Sequence, residues 1–327
     1  MCFSSESLLV VILVTLAVGN RAEGITAVVV GDYGTIRHST DGGGNWFIRD
    51  GGTNVGLFGV DCVGQNCYAV GANSTLVSST DGGQSWSSRN LDTGETTLTL
   101  HDVKFIDQSN GWIVGDSGAV LNTNDGGVSW SLIPLMSSRP YFAVDFIDLQ
   151  NGWIAGDNEM RHTVDGGLNW SFQTVGSVEI RGVDFVDTNT GWYAARDGQI
   201  GHTSNGGANW STQFTAQEKL GDAVFVDSNT GWVAGDGDVF HTTNGGSDWE
   251  SQNIGVGVEF NGITFADDQL GWAVGVNGLI RHTQNGGVNW ATQSSGATHP
   301  LYDVEIVTSL QGLNGITTTA VMSNSTT

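Results

Sequence analysis

The stretch STDGGGNW at residues 39–46 occurs, with small changes, seven times along the chain. The Trp that ends each copy returns after 40, 44, 40, 40, 39 and 41 residues. A repeat of about 40 residues with strand-like composition is typical of a β-propeller, in which each repeat forms one four-stranded sheet, or blade. The sequence therefore predicts an all-β fold, a seven-bladed β-propeller.

The residue types of this stretch explain why it is repeated. Its paired glycines permit positive φ angles, so each copy predicts a hairpin turn between the third and fourth strands of a blade. The first Ser or Thr and the Asp or Asn two positions later can hydrogen-bond the backbone of the turn, and Asn keeps the side-chain carbonyl that Asp would use. A catalytic residue is normally needed once, so seven copies indicate a structural role. These acids and amides are Asp41, Asp81, Asp125, Asp165, Asn205, Asn244 and Asn285.

The rest of each repeat supplies the other strands. The alternating segment HDVKFID (101–107) predicts a first, inner strand, GWIVGD (111–116) a second and AVLNT (119–123) a third. The 12 Trp residues occupy two positions of the repeat, the end of the turn and the start of the second strand. We expect the Trp at the end of the turn to be buried against the neighbouring sheet, so that Trp130→Ala or Trp210→Ala costs about 3–5 kcal/mol.

The two ends of the chain complete one blade between them. The first repeat holds the second to fourth strands but lacks the first, and a copy of the missing strand appears as LYDVEIVTS (301–309). Pairing these segments would remove a free sheet edge. The sequence thus predicts a propeller over residues 24–309, closed by the C-terminal strand, and a polar tail over 310–327.

The pattern S/T-x-D/N-x-G-x-x-W is the Asp-box, or bacterial neuraminidase repeat. With the GWxxG strand beside it, the chain from about residue 24 to 308 resembles the photosystem II stability and assembly factor family. That resemblance implies a non-enzymatic, seven-bladed propeller that acts as a binding scaffold for photosystem subunits. Asp-box sialidases need three clustered arginines and an Arg-Ile-Pro motif, which SRPYF (138–142) does not match. A carbohydrate-binding or glycoside-hydrolase-type propeller is the alternative.

The charge of the chain limits its partners. The formal net charge is −23, from 34 acidic residues against 11 Lys and Arg. Such a surface repels nucleic acid and anionic lipid. We therefore expect a protein partner first and a carbohydrate second, with no nucleic acid, no cofactor and a monomeric chain.

The N-terminus indicates export. The apolar run over residues 8–18 is too short to span a bilayer comfortably, and Ala17 and Gly19 fit a small-x-small cleavage site. Residues 1–19 are predicted to be a signal peptide, with an uncleaved anchor as the alternative.

In an oxidising compartment Cys62 and Cys67 are expected to form a disulfide, two thiols or a metal site being the alternatives. Secretion is predicted, with the periplasm or thylakoid lumen as the other possible locations.

Positions that differ between repeats are the candidates for binding. One column precedes the core of the first strand and should surround the mouth of the central channel, as a recognition rim or as ordinary packing. It consists of Phe58, His101, Phe142, Arg181, Gly221, Asn261 and Tyr302. A second column, three residues further on, should line the channel, where a cation or a polyhydroxyl ligand could bind, although a water-filled channel without ligand is favoured. It consists of Asp61, Lys104, Asp145, Asp184, Val224, Thr264 and Glu305.

Five histidines occupy one further column, three residues before the Asp-box acid or amide. Equivalent positions in neighbouring blades lie about 10 Å apart, whereas a metal needs its ligands within about 2–2.6 Å. Packing or hydrogen-bonding roles are therefore predicted, and no metal site. These residues are His38, His162, His202, His241 and His282.

Overall fold

The computed structural model describes residues 24–94, 97–254 and 257–307. The predicted signal peptide (1–19) and polar tail (310–327) lie outside the described residues. Within the described part of the chain, no helix has the length and apolar character needed to cross a membrane.

Seven antiparallel sheets of four strands each form the blades of a β-propeller, which confirms the predicted fold. Blade 1 contains β28 (Leu301–Val307), β1 (Thr26–Gly31), β2 (Thr35–Ser39) and β3 (Phe47–Arg49). Blade 2 contains β4 (Leu57–Val63), β5 (Asn66–Gly71), β6 (Thr75–Ser79) and β7 (Ser87–Asn90). Blade 3 contains β8 (Leu100–Phe105), β9 (Gly111–Gly115), β10 (Val120–Thr123) and β11 (Ser131–Leu132).

The remaining blades follow the same order from the inner to the outer strand. Blade 4 contains β12 (Tyr141–Phe146), β13 (Gly152–Gly156), β14 (Glu159–Thr163) and β15 (Ser171–Gln173). Blade 5 contains β16 (Ile180–Phe185), β17 (Gly191–Ala195), β18 (Gln199–Thr203) and β19 (Ser211–Thr215). Blade 6 contains β20 (Leu220–Phe225), β21 (Gly231–Gly235), β22 (Val239–Thr242) and β23 (Glu250–Ser251). Blade 7 contains β24 (Phe260–Phe265), β25 (Gly271–Gly275), β26 (Leu279–Thr283) and β27 (Ala291–Ser294).

Ring closure occurs in blade 1. The C-terminal strand β28 pairs antiparallel with β1, so that Val307 lies opposite Thr26 and Ile306 opposite Ala27. Short 3-10 turns link the second and third strands in four blades, at Asp32–Gly34, Ala72–Ser74, Asp116–Gly118 and Val276–Gly278. The two ends of the chain are therefore held in one sheet, as the sequence predicted.

The Asp-box forms the turn between the third and fourth strands. In blade 1, Ser39 Oγ donates to Asp41 Oδ1 (2.9 Å), which also accepts the Asn45 N–H (2.8 Å). In blade 5, Asn205 Oδ1 accepts the equivalent bonds from the Thr203 hydroxyl (3.0 Å) and the Asn209 N–H (2.9 Å). Both bonds need only a side-chain carbonyl oxygen, which explains why Asp and Asn exchange freely at this position.

Aromatic stacking joins neighbouring blades. The ring that begins the second strand lies flat on the Phe that ends the first strand of the next blade, with centroids 3.5–3.8 Å apart. That Phe also covers the Gly opposite it in its own blade: a Cβ added at Gly152 would lie 2.3 Å from the Phe146 ring. The stacked pairs are Tyr68–Phe105, Trp112–Phe146, Trp153–Phe185, Trp192–Phe225 and Trp232–Phe265.

The expectation for the Asp-box Trp was wrong in its main point. Trp130 and Trp210 are only partly buried, and each ring stands edge-on against the Phe of its own blade. The Nε1–H of Trp210 donates to Gln173 Oε1 of the preceding blade (3.3 Å). The Asp-box turn leads directly into the exposed outer strand, so a ring placed there keeps part of its contact with water.

The two cysteines replace a Phe–Gly pair. Cys62 and Cys67 lie opposite each other on β4 and β5 and form a disulfide. In blades 3 to 7 the positions of Cys62 and Cys67 hold a Phe and a Gly. Blade 1, which precedes blade 2 in the ring, carries Val28 where blades 2 to 6 carry the aromatic ring that stacks on that Phe. The disulfide therefore stands at a junction without a stacked aromatic pair, where both cysteines pack in one cluster with Val28.

Four of the five repeated histidines pack against the Trp of the adjacent second strand, whereas His38 lies opposite Val28. The His162 ring stacks on Trp153 at 4.5 Å, and His241 on Trp232 at 4.7 Å. Burial lowers the pKa of His282 to about 4. In the described residues, no group of three or more His, Cys, Asp or Glu is arranged to hold a metal ion.

The two classes of Trp should differ in their contribution to stability. Trp192 is fully buried between blades 5 and 6, so Trp192→Ala should lower the free energy of unfolding by about 3–5 kcal/mol. Trp210→Ala in the same blade should cost clearly less. Urea denaturation of both variants measures the difference, and equal losses would contradict the assignment of the second-strand Trp as the contact between blades.

Closure gives a second prediction. Ending the chain at Pro300 removes β28, leaves β1 with an unpaired edge and takes Leu301 and Val304 out of the core. Cooperative thermal unfolding should be lost. A chain that ends at Val307 serves as the control and should unfold in one transition; if the shorter chain melts like this control, the closing strand is not required.

Candidate binding site at the channel mouth

The rim residues are the bulged residues of the inner strands. In blade 2 the pairing shifts between Leu57 and Gly59, so that Phe58 is left without a partner on the second strand. The same shift occurs in every blade at the equivalent residue. A bulge releases one side chain from the alternation of the sheet and redirects it. It therefore gathers Phe58, His101, Phe142, Arg181, Gly221, Asn261 and Tyr302 at the channel mouth.

Five of these side chains form a continuous aromatic arc over blades 1 to 5. The Tyr302 and Phe58 rings are 5.0 Å apart, Phe58 and His101 6.1 Å, and His101 and Phe142 4.9 Å. The arc ends at Arg181, whose guanidinium lies 3.9 Å above the Phe142 ring. Over blade 6 the arc is interrupted, because the equivalent residue is Gly221.

Two cavities open at this arc. The upper one, of ≈ 340 Å³, is lined by the rim residues and by Arg196, Lys219, Asp236 and Glu259. The lower one, of ≈ 90 Å³, lies between the same rim residues and the carboxylates of Asp102, Asp222 and Asp303. These three acids form the floor of the site.

Charged pairs fix the polar part of the rim. Arg181 donates to Glu179 Oε1, which also accepts from Arg196 Nη1 at 3.2 Å. His101 Nε2 lies 2.8 Å from Asp116 Oδ1. Burial lowers the pKa of His101, and the nearby Arg181 lowers it further against the opposing effect of Asp116. The rim therefore presents a neutral imidazole beside two arginines that share one carboxylate.

The predicted channel acids bond one blade to the next. Asp61 Oδ2 accepts the Phe105 N–H (2.7 Å), and Asp145 and Asp184 accept the equivalent N–H groups of the following blades (2.8 and 2.6 Å). The Lys104 Nζ lies among them, 3.4 Å from Asp145 Oδ1. These carboxylates thus have a structural task that the sequence reasoning did not foresee.

The floor acids were not found from the sequence. They bond one blade to the next at three of the four remaining junctions. The Oδ2 atoms of Asp102, Asp222 and Asp303 accept the N–H groups of Val144 (2.8 Å), Ile263 (3.0 Å) and Val60 (2.8 Å). Their column reads Asp, Gly or Ala in successive blades, and this alternation was the available signal. At the junction of blades 7 and 1, the Asn261 Nδ2 donates to the Leu301 carbonyl (2.8 Å) instead.

Enclosure by seven strands makes the charged form of these acids costly. Burial raises the pKa of Asp102 to about 7, of Asp222 to about 6, and of Asp184 and Glu305 to about 8. Burial raises the pKa of Asp303 as well, and the neighbouring carboxylates of Asp222 and Asp102 add to the effect. The single lysine of the channel therefore faces a partly protonated set of carboxyl groups at neutral pH.

Comparisons with known proteins place the chain among propellers of one family. The sequence profile described as "Photosynthesis system II assembly factor YCF48" matches residues 52–142, 94–176 and 211–318. The structure "YCF48 bound to D1 peptide" aligns with a TM-score of 0.63 at 20% identity, covering 83% of this chain and 84% of that one. "YCF48 from Cyanidioschyzon merolae" aligns with a TM-score of 0.63 at 20% identity, covering 82% and 97%.

An enzyme also shares the fold. The GH74 xyloglucanase from Xanthomonas campestris aligns with a TM-score of 0.60 at 13% identity, over 72% of this chain and 45% of that one. At these identities the structural matches show the fold alone. No curated protein sequence matches the chain.

The channel carboxyl groups predict how stability depends on pH. Their pKa values are raised above the unfolded range near 4, so their contribution is complete below about pH 4 and is lost as pH rises through 6 to 8. The Asp-box acids have the opposite effect on stability. The bonds from Ser129 hold the pKa of Asp125 at about 2, so the stability that this acid contributes is lost as the pH falls below about 4. The melting temperature should therefore be highest near pH 4 and fall by several degrees as the pH rises to about 8. Glu305→Gln should weaken the alkaline fall; an unchanged profile would contradict this account.

Proposed function

The chain belongs to the photosystem II assembly factor YCF48 family, and from this premise we propose that it is a non-enzymatic scaffold that binds a protein partner at the channel mouth. The observation that carries the proposal is the aromatic arc placed by the seven bulges. The residues that build the blades repeat, whereas the residues at the bulges differ from blade to blade. A rigid frame that carries variable side chains at one opening is the usual arrangement of a binding surface.

The composition of the mouth supports a protein as the partner. Aromatic residues and Arg are enriched in protein interfaces, and the energetically dominant contacts cluster in pockets from which water is excluded. The arc supplies Phe58, Phe142 and Tyr302 next to Arg181, around a cavity of ≈ 340 Å³. The related structure titled "YCF48 bound to D1 peptide" is a propeller of the same fold with a peptide ligand.

The hydrogen bonds of the channel acids favour a scaffold over a glycoside hydrolase. Glycoside hydrolysis needs two carboxyl groups that face a substrate and have different environments. Asp61, Asp145 and Asp184 each use a carboxylate oxygen to accept a backbone N–H of the next blade, which commits these acids to joining the blades. The carbohydrate-binding alternative uses the same rim aromatics and is decided by the experiment below.

We propose that the protein works in an exported, oxidising compartment. The disulfide of Cys62 and Cys67 supports this, because such bonds persist outside reducing compartments. Secretion, the periplasm and the thylakoid lumen all meet the requirement, and family membership favours the lumen where the source is photosynthetic.

Rim variants test the function. Phe142→Ala and Tyr302→Ala should leave the melting temperature within a few degrees of the wild type, because neither bulged residue joins the strand ladder. Affinity capture from the source organism should lose the partner on both variants and retain it on Phe172→Ala, which removes a Phe that is 69% exposed on the outer strand β15.

Two results would overturn this function. Rim variants that unfold as readily as Trp192→Ala would show that these residues belong to the core. Binding on a glycan array that the wild type shows and the rim variants lose, without any rim-dependent protein, would make the mouth a carbohydrate site.

A further inference from the structure

The mouth combines an aromatic wall with a carboxyl floor and a gap on one side. We propose that its cavity receives a cationic side chain of the partner, a lysine ammonium or an arginine guanidinium. The inference rests on the proposed protein-binding function and specifies the chemistry that the site recognises.

The wall is suited to a cation. A positive group within about 6 Å of an aromatic ring centroid is attracted to the face of the ring. The rim already makes this contact, where the Arg181 guanidinium lies 3.9 Å from the centroid of Phe142. The Phe58 and Tyr302 rings continue the wall around the cavity.

The floor supplies hydrogen-bond acceptors for a cation. Both carboxylate oxygens of Asp102 accept a backbone N–H, from Val103 (2.7 Å) and Val144 (2.8 Å). A carboxylate has about four acceptor sites, so each oxygen keeps one for a ligand. Asp222 and Asp303 are bonded in the same way, and all three line the lower cavity. An ammonium group donates up to three hydrogen bonds, so it is matched to a cavity lined by several such acceptors.

The gap in the arc provides the entrance. At Gly221 the rim has no side chain, and a Cβ there would lie 3.0 Å from the Phe260 carbonyl oxygen. Beside the gap, Asp236 and Glu259 line the upper cavity together with Lys219. A side chain that enters here passes two acids before it reaches Asp222.

The rim arginines do not oppose this entry strongly. Arg181 and Arg196 are both paired with Glu179, which offsets part of their charge. They lie on blade 5, at the end of the arc. The net charge of −23 attracts basic partners over the longer range, and such steering favours the encounter with a cationic segment.

A displayed library of random twelve-residue peptides tests the inference on the purified chain. Peptides selected on the wild type should contain a Lys or Arg and lose binding on the double variant Phe58→Ala/Phe142→Ala. Replacing that cationic residue by norleucine in a synthetic copy should weaken binding about tenfold or more, the scale of a desolvated cation–π contact. Asp222→Asn should weaken binding as well. Its amide oxygen is able to keep the Ile263 N–H, but the Ala223 N–H loses its acceptor, so the melting temperature of this variant is measured alongside its binding.

Matched controls separate local recognition from overall charge. Asp227→Asn makes the same charge change beyond the far end of β20, in an exposed loop, and should leave binding of the selected peptides unchanged. Equal losses for Asp227→Asn and Asp222→Asn would overturn the inference, because only overall charge would then matter. Peptides that depend on the aromatic arc but carry no cation would also overturn it and leave the proposed function intact. A library that yields no arc-dependent peptide would count against the proposed function itself.

Discussion

The stacking of an aromatic ring from one blade on the Phe of the next is the contact on which the rest of the ring depends. The Trp153 and Phe185 rings lie 3.5 Å apart and nearly parallel, and four other junctions repeat this pair. The Phe can lie so close to its own sheet only because a Gly stands opposite it. Three residues of the repeat, the Phe and the Gly-Trp pair, are therefore required together.

Blade 1 departs from this arrangement on both sides. At the junction of blades 7 and 1, Trp272 packs in one cluster with Ile306, which stands at the position of the Phe. At the junction of blades 1 and 2, Val28 stands at the position of the Trp and Cys62 at the position of the Phe. Blade 1 is also the only blade built from both ends of the chain. These two junctions lack the aromatic stack. Blade 1 is instead held by the pairing of the two chain ends, and blade 2 carries the disulfide.

The sequence was sufficient for the blade count, strand order and closure because these follow from the repeat period and from the missing first strand. It was misleading for Trp210, since a repeated Trp indicates that a ring is needed but not how deeply it is buried. It placed Phe58 and its equivalents at the mouth, but the bulge that turns them there depends on pairing register, which no residue type marks. The sequence analysis did not single out Asp102, whose partner is a backbone N–H 42 residues away in sequence and belongs to the next blade.

The same acids connect the frame to the site above it. An inner strand must satisfy the N–H groups that face the channel, and a carboxylate from the preceding blade does so at six of the seven junctions. Asp102 and Asp222 are held rigidly in this way, and burial raises the pKa of both carboxyl groups. The low local dielectric also strengthens their interaction with any cation that excludes water from the channel. In blades 1, 3 and 6 the bulge lies directly before a floor acid, so side chains that are free to vary are placed above acids that the ring itself requires. A binding site at the mouth thus follows from the way the blades are joined.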